Sequence, residues 1–507
     1  MQVENLLFGA KGSWLVLLRF GKLFRMSILI VVCTYVFSLL VIAYLGARQV
    51  HSVEDYFVAG RRLPFLIAVP SIVATWYGAG SCMGVASTVY GEGVGAVLSD
   101  PFGCALALVI TGLFFAGPLR RLRLLTVADI LRVQYGRAVE CTAAWLMLPF
   151  YVGTLAAQLL AMGHIVHLLG GFPMIVGILI GLVLIAVYTV AGGMWAVSVT
   201  DVVQLLFLVL ALVILFPMGW SRLMEEPESA SMMIQEVKQL LPLRLEGKAW
   251  FVYLGQLLMT GLGAIMGQDL IQRCLACRSV RIARWSTLTA ALFYFILGGI
   301  PIILGLAGRL LFPDLATSDH LLLEWVAHAA SPALFALFAV GLISAIMSTG
   351  DSYLLAGTSI FMQNVMGPRV EQLPTSVQLR WSRWASTMIL FLGAALAFCG
   401  FNIFQLMVHS GAMLFVAIFV PVSAALYWPR ANKNAALGSM LSGVCTWMGY
   451  IVFETFNGSL AGDDIFYAAA FVGGVGSLAG YCIIELLRAG ASFFFSASSP
   501  TEQVRFE

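Results

Sequence analysis

Two carboxylates lie inside apolar stretches of this chain, where a charged side chain is costly to keep. Asp201 belongs to residues 192–204, which read Gly-Gly-Met-Trp-Ala-Val-Ser-Val-Thr-Asp-Val-Val-Gln, and Asp351 belongs to residues 348–352, which read Ser-Thr-Gly-Asp-Ser. Carboxylates at membrane depth persist where they meet a cation, a proton path or a charged partner. The two acids therefore indicate a protein that moves a cation together with another species.

Oxygen-bearing side chains around the second acid follow helical spacing. Ala345, Ser348 and Thr349 share one helical face, and Ser348, Asp351 and Ser352 share another, so Ser348 could serve two adjacent sites. Hydroxyl, carbonyl and carboxylate oxygens suit a hard cation such as sodium. A single hydroxyl in a membrane helix more often bonds to the carbonyl four residues earlier. The density of polar groups favours a cation site here.

The composition identifies the class of protein. Of 507 residues, 61% are hydrophobic and 10% are charged, and the mean hydropathy is +0.95. A soluble domain is about half apolar and a quarter charged. Apolar runs of about 20 residues recur along the chain and predict an all-α polytopic membrane protein with about 13 transmembrane helices. The net charge of +3 is spread over loops, which gives no support to nucleic-acid binding.

The apolar runs suggest a division of the chain into segments. Met26 opens the first run, so residues 1–25 are interpreted either as an N-terminal extension or as a stretch before the true start. We expect a peripheral first helix at 26–50, a first core repeat at 66–219, a second, inverted core repeat at 249–427, two peripheral helices at 436–487 and a cytoplasmic tail at 488–507.

Arginine-rich loops alternate with acidic or neutral ones. Residues 120–137 and 273–284 carry several arginines each, whereas 225–228 and 463–464 are acidic. The positive-inside rule makes the arginine-rich loops cytoplasmic and predicts an outside N-terminus and a cytoplasmic C-terminus. The basic residues before Met26 conflict with this orientation. The loops are short, without the long loops typical of eukaryotic proteins, which suggests a bacterial inner membrane.

Two apolar segments are rich in glycine, at residues 75–84 and 255–268. Glycine-interrupted helices at corresponding positions of two halves point to a transporter with its site near the midplane. Unwound backbone there frees carbonyl and amide groups to hold ligands. Close helix packing through small residues is the alternative explanation.

Four motifs together make the chain resemble the sodium:solute symporter family. They are residues 55–62 (Asp-Tyr-Phe-Val-Ala-Gly-Arg-Arg), the stretch 192–204, the pair Gln272-Arg273 and residues 345–349 (Ala-Ile-Met-Ser-Thr). The resemblance implies an inverted five-plus-five helix repeat with alternating access and with discontinuous first and sixth core helices.

The resemblance also implies two cation sites. A conserved-type sodium site would use carbonyl oxygens of three residues and hydroxyls of two: Ala74, Tyr77 and Ala345, then Ser348 and Thr349. A second site, for sodium or a proton, would use Asp201, Ser348, Asp351 and Ser352.

Within the family, the motifs resemble the branch of the high-affinity choline transporter. Of that branch's aromatic box only Trp76 aligns; the facing positions read Cys104, Thr154 and Gly267. Freed amides at a broken helix suit a carboxylate. We therefore expect a small zwitterion or carboxylate, such as an amino acid, a betaine or pantothenate. The candidate solute contacts are Trp76, Gly80, Ser81, Gln158, Gly267 and Gln268.

These observations predict a sodium-coupled symporter that imports a small organic solute: an amino acid, a betaine or other quaternary amine, or a carboxylate such as pantothenate. Neither a catalytic cluster nor an organic cofactor is expected, and the coupling ion would be sodium. The alternatives are a solute sensor with the same fold and a proton-coupled transporter. A monomer and a homodimer both remain open.

Overall fold

The chain folds almost entirely into helices. The structure is a computed structural model, and it describes residues 22–227, 229–240, 246–315, 318, 321–328, 331–399, 406, 411–428, 431–460 and 462–496. Within these ranges there is no β-strand, and one isolated bridge joins Leu63 to Cys277. The expectations for residues 1–21 and 497–507 concern parts of the chain outside this description.

Counting helices of six or more residues in the part of the chain that the structure describes, the first half contributes ten, which include the first broken pair. They are α1 (Lys22–Ala47), α2 (Val53–Val58), α3 (Phe65–Trp76), α4 (Gly80–Glu92), α5 (Val94–Leu122), α6 (Val127–Tyr135), α7 (Arg137–Gly170), α8 (Met174–Val187), α9 (Gly192–Glu225) and α10 (Ser229–Gln239).

The second half contributes nine more. They are α11 (Ala249–Met266), α12 (Gln268–Ala276), α13 (Val280–Leu311), α14 (Leu321–His328), α15 (Ala333–Met366), α16 (Thr375–Ala397), α17 (Gly411–Tyr427), α18 (Lys433–Asn457) and α19 (Asp463–Ser496).

The prediction of an all-α, multi-pass membrane protein is confirmed. Among the described residues, nine helices are long and apolar enough to cross a membrane, and the bent pair α3–α4 adds a tenth span. Two of the apolar stretches form helices shorter than a full span, α8 and α17. Apolar runs therefore locate the helices, although they do not separate full spans from shorter elements.

Helix α15 lies at the centre of the bundle. Of its most apolar 18 residues, 89% are buried, against 22% for α1 and for α18. It packs chiefly against α7 and α9. A helix enclosed on all sides can carry polar side chains that face other protein groups rather than lipid.

Two helix breaks face this centre. The axis bends by 62° between α3 and α4, and the second break falls at Gly267, whose extended backbone separates α11 from α12. At the first break, Gly78 approaches α15 so closely that an added Cβ would overlap Thr349 Oγ1. The absence of a side chain at Gly78 lets the break lie against the central helix.

The packing of α18 gives a test of the bundle's outer face. Gly443 lies so close to α17 that a Cβ would overlap the carbonyl oxygen of Val416, whereas Gly449 on the same helix has open space around it. We expect Gly443→Ala to destabilise the protein by about 1–3 kcal/mol through overpacking. Gly449→Ala is the control and should be neutral or slightly stabilising. Thermal unfolding in detergent measures both, and equal melting temperatures would contradict this packing.

Candidate cation and solute site

A cluster of oxygens lies where the α3–α4 break meets α15. Ser348 Oγ donates to the carbonyl oxygen of Ala74 at 3.0 Å and to that of Ala345 at 3.2 Å, and Thr349 Oγ1 lies 3.5 Å from the same Ala74 oxygen. Tyr77 ends α3, and its hydroxyl donates to the carbonyl oxygen of Leu297 at 2.8 Å. Four of the five residues expected to hold sodium thus meet in direct contact.

The helix break makes the Ala74 oxygen accessible. In a continuous helix this carbonyl would accept the amide of Gly78, four residues later. Here the amide of Gly78 donates to the carbonyl oxygen of Trp76 at 2.8 Å instead. Backbone groups freed within a membrane need other polar partners, and the hydroxyls of α15 supply them.

A buried ion pair lies beside this cluster. Arg273 Nη2 donates to Asp201 Oδ2 at 2.9 Å and to Ser352 Oγ at 2.6 Å, and both charged side chains are fully buried. Ser71 Oγ also donates to Asp201 Oδ2, at 2.6 Å. Ser352 Oγ contacts Asp351 Oδ1 at 3.1 Å. Two of the four residues expected to form the second cation site, Asp201 and Ser352, therefore bind a guanidinium that the protein itself supplies.

The motif Gln272-Arg273 is visible in the sequence, but the pairing of Arg273 with Asp201 is not. Asp201 and Arg273 are separated by 72 positions in the chain, so no local pattern connects them. A buried arginine requires a partner, and the intramembrane acids are the natural candidates. The sequence therefore indicates that a buried Arg273 needs an acidic partner, but it does not show which acid that is.

A cavity of about 100 Å³ lies on the other side of the α3 break. Much of its wall is aromatic, and the rings come from four different helices: Trp76, Phe150, Tyr294 and Tyr353. Trp76 and Tyr294 meet edge to face with ring centroids 6.4 Å apart. The aligned positions had suggested that an aromatic box was mostly missing, but residues at other positions provide these rings.

Two carboxylates also face the cavity, and neither was among the expected solute contacts. Asp100 accepts hydrogen bonds from Ser81 Oγ at 2.5 Å and from Tyr294 OH at 2.9 Å. Asp269 Oδ2 accepts one from Trp76 Nε1 at 2.6 Å. No Lys, Arg or His belongs to the wall as far as the structure describes it. The electrostatic character of the cavity is therefore negative.

The six expected solute contacts separate into two groups. Trp76 and Gly80 line the cavity. Ser81 is next to it, because its hydroxyl donates to Asp100, which is one of the lining residues. Gln158, Gly267 and Gln268 are not among the lining residues.

The side chain of Gln268 points to a different part of the molecule. It donates to the carbonyl oxygen of Leu125 at 2.9 Å and accepts from the amide of Val127 at 2.8 Å. It thus ties the start of α12 to the segment before α6. Its position directly after a glycine break suggested a ligand contact, but its side chain holds the loop on the arginine-rich side.

The missed acids carried a signal in the sequence. Asp100 interrupts an apolar run in the stretch Ser-Asp-Pro, and Asp269 follows the break at Gly267. The rule that singled out Asp201, that acids at membrane depth are functional candidates, applies equally to both. What the sequence lacked was the packing that brings them to one cavity.

Comparisons with known proteins identify the family of the chain. The model of the sodium:solute symporter family matches residues 56–443. The chain is 29% identical to the high-affinity choline transporter 1 of Torpedo marmorata over 412 residues, covering 77% of this chain and 69% of that protein. It is 24% identical to the sodium/pantothenate symporter of Escherichia coli over 419 residues, covering 80% and 85% respectively.

A solved structure shares the fold. A Na⁺-coupled sialic acid symporter in a substrate-bound outward-open state is similar with a TM-score of 0.77, at 17% identity, over 96% of this chain and 100% of that chain. At this identity the likeness concerns the fold alone. It confirms the transporter architecture that the sequence motifs predicted.

The buried ion pair makes a direct prediction about stability. Arg273→Met leaves Asp201 without its guanidinium partner and should destabilise the protein by about 3–5 kcal/mol. Adding Asp201→Asn to that variant removes the uncompensated charge, so the double variant should be more stable than Arg273→Met alone. Thermal unfolding of both single variants and the double variant measures the coupling. Additive effects would mean that the two side chains do not interact.

Proposed function

Because the chain belongs to the sodium:solute symporter family, we propose that it is a sodium-coupled symporter of a small organic cation. The observation that carries the proposal is the cavity beside the first helix break, with two carboxylates, four aromatic rings and no basic side chain in its described wall. The import of solute would follow the alternating-access cycle of the family.

The wall chemistry favours a cation over the other solute classes considered. Aromatic faces attract an ammonium group through their quadrupole, and desolvated carboxylates attract it by charge. A carboxylate solute would meet Asp100 and Asp269 without a basic residue to balance its charge. The choline transporters among the relatives are named for a cationic solute, which supports the same choice over pantothenate or an amino acid.

The coupling sodium is assigned to the oxygen cluster of Ala74, Tyr77, Ala345, Ser348 and Thr349. Its hard oxygen donors suit the ion, and the Ser348 hydroxyl joins α15 to the broken helix. Sodium at this point would hold the break in place. Trp76, two residues after Ala74, belongs to the same break, and its ring lines the cavity. Ion binding and solute binding would therefore reinforce one another.

The second site is proposed for a proton or a second cation at Asp201, Ser348, Asp351 and Ser352. Asp201 Oδ2 is already engaged by Arg273, while Asp201 Oδ1 is buried and has no hydrogen-bond partner among the described residues. Ion entry here would change how Asp201 shares its charge with the guanidinium.

The arginine-rich side is proposed to face the cytoplasm and to be the closed end of the cavity. Arg61 Nη2 donates to the carbonyl oxygens of Arg123 and Leu124 at 2.7 and 3.0 Å, and Gln268 binds the same segment further along. These contacts fasten the loop before α6 beneath the break at Gly267. They would have to part before solute could leave towards the cytoplasm. An inner (plasma) membrane of a bacterium is the proposed location.

The sodium assignment is tested by Ser348→Ala. Loss of one hydroxyl ligand should raise the sodium concentration needed for half-maximal uptake by about tenfold, the equivalent of one hydrogen bond to a charged group. Ser344→Ala is the matched control, because Ser344 lies on the same helix and bonds Tyr35 OH rather than the cluster. Sodium titrations of uptake into proteoliposomes measure both, and an equal sodium dependence in all three proteins would refute the assignment.

The solute class is tested by ligand-induced stabilisation of the purified protein in sodium or potassium buffer. We expect organic amines and choline to raise the melting temperature in sodium, and betaine and pantothenate to leave it unchanged, since a ligand stabilises the state it binds. A solute that stabilises should then be accumulated by proteoliposomes with an inward sodium gradient.

Other outcomes separate the competing functions. Stabilisation that does not depend on sodium, with uptake driven by a pH gradient, would favour proton coupling. Binding without any uptake would favour a sensor. Stabilisation by pantothenate or betaine alone would contradict a cationic solute.

A further inference from the structure

The two carboxylates of the cavity carry more information than a general preference for cations. We propose, on the basis of the function proposed above, that the solute is a short linear dication with a primary ammonium group at each end. One ammonium group would bind Asp100 and the other would bind Asp269, with an aliphatic chain between them. A diamine has this chemistry.

Each carboxylate is held by its own part of the bundle. Asp100 belongs to α5 and accepts from Ser81 of α4 and Tyr294 of α13. Asp269 belongs to α12 and accepts from Trp76 of α3. The two acids have no common hydrogen-bond donor among these contacts. They are therefore two separate anionic positions rather than a pair that shares one proton.

One oxygen of the Asp269 carboxylate, Oδ1, has no side-chain donor among the described residues. The residue is fully buried. An unpaired carboxylate oxygen in such a place is strongly destabilising. A quaternary ammonium has no N–H to offer, whereas a primary ammonium brings three donors. The site therefore favours a solute with N–H groups.

The charges of the wall favour two ammonium groups over one. The donors to both carboxylates are neutral: side chains of serine, tyrosine and cysteine for Asp100, and the Trp76 side chain with the backbone amides of residues 269 and 270 for Asp269. A monoamine would compensate one carboxylate and leave the other uncompensated in a low-dielectric site. The nearby guanidinium of Arg273 donates to the Asp201 carboxylate and to the backbone carbonyl oxygen of Asp269, and within the described contacts it makes no hydrogen bond to either cavity carboxylate.

The remainder of the wall suits a methylene chain. Phe150, Met259 and Leu414 contribute apolar side chains to the same cavity. These groups gain nothing from contact with a polyhydroxylated solute, and they gain from contact with an aliphatic chain. The length of the chain is set by the separation of the two acids and is determined in the test.

The test compares two series of ligands on the purified full-length protein in sodium buffer. Isothermal titration calorimetry would measure unbranched α,ω-diamines of three to six carbons against n-alkylamines of equal length, with choline as a quaternary reference. We expect the best diamine to bind about 10- to 100-fold more tightly than the equal-length monoamine, the ratio given by one additional charged hydrogen bond.

Two variants locate the subsites. Asp100→Asn and Asp269→Asn should each weaken diamine binding by about 10- to 100-fold and remove most of the preference over the monoamine. Glu236→Gln is the control; this acid is also buried, but it bonds Arg309 and the amide of Val94 away from the cavity. It should leave the ratio of diamine to monoamine affinity unchanged.

The outcomes distinguish this inference from the function on which it rests. Equal affinity for diamines and monoamines, or tighter binding of choline than of any diamine, would overturn the dication and leave a cation symporter in place. Binding of betaine or pantothenate with no binding of any amine or of choline would overturn both. The wild-type series decides between these results even if an Asn variant does not fold.

Discussion

The structure depends on one carbonyl oxygen that a helix break releases from its helical partner, that of Ala74. Inside a bilayer a helix can be interrupted only where other protein groups satisfy the freed backbone. The α3–α4 break meets this condition because Ser348 and Thr349 approach Ala74 from α15. The break at Gly267 meets it in another way, because the backbone amide of Gln268 donates to the hydroxyl oxygen of Tyr151, on another helix, at 2.8 Å.

The same constraint sorts the intramembrane acids by their partners. Asp201 is paired with Arg273, so its charge is balanced within the protein and serves to join α9 to α12. Asp100 and Asp269 have neutral donors only in the contacts described. Acids of the first kind can hold the bundle together, while acids of the second kind retain the capacity to bind a cation from solution. The distinction lies in the partner and not in the degree of burial.

The sequence predicted the parts of this arrangement that arise from local patterns. Apolar runs located the helices, glycine-rich stretches located both breaks, and helical spacing placed Ser348 and Thr349 on one face. The solute cavity follows instead from packing between distant segments. Tyr294 reaches Asp100 across 194 positions, and Trp76 reaches Asp269 across 193. Gln268 shows what a local pattern leaves open, since its place beside a break suggested a ligand contact while its side chain holds a loop.

In the proposed mechanism, Trp76 links the sodium site to the solute cavity. Its backbone belongs to the break that exposes the Ala74 oxygen, its ring lines the cavity, and its Nε1 donates to Asp269. A change in the geometry of the break therefore moves the donor that orients one of the two carboxylates. An ion bound to Ala74 would stabilise the conformation in which Asp269 is held at the cavity wall, and a cation bound to Asp269 would in turn stabilise the break. Such reciprocity is required of any coupled pair of binding sites, and here a single residue is enough to transmit it.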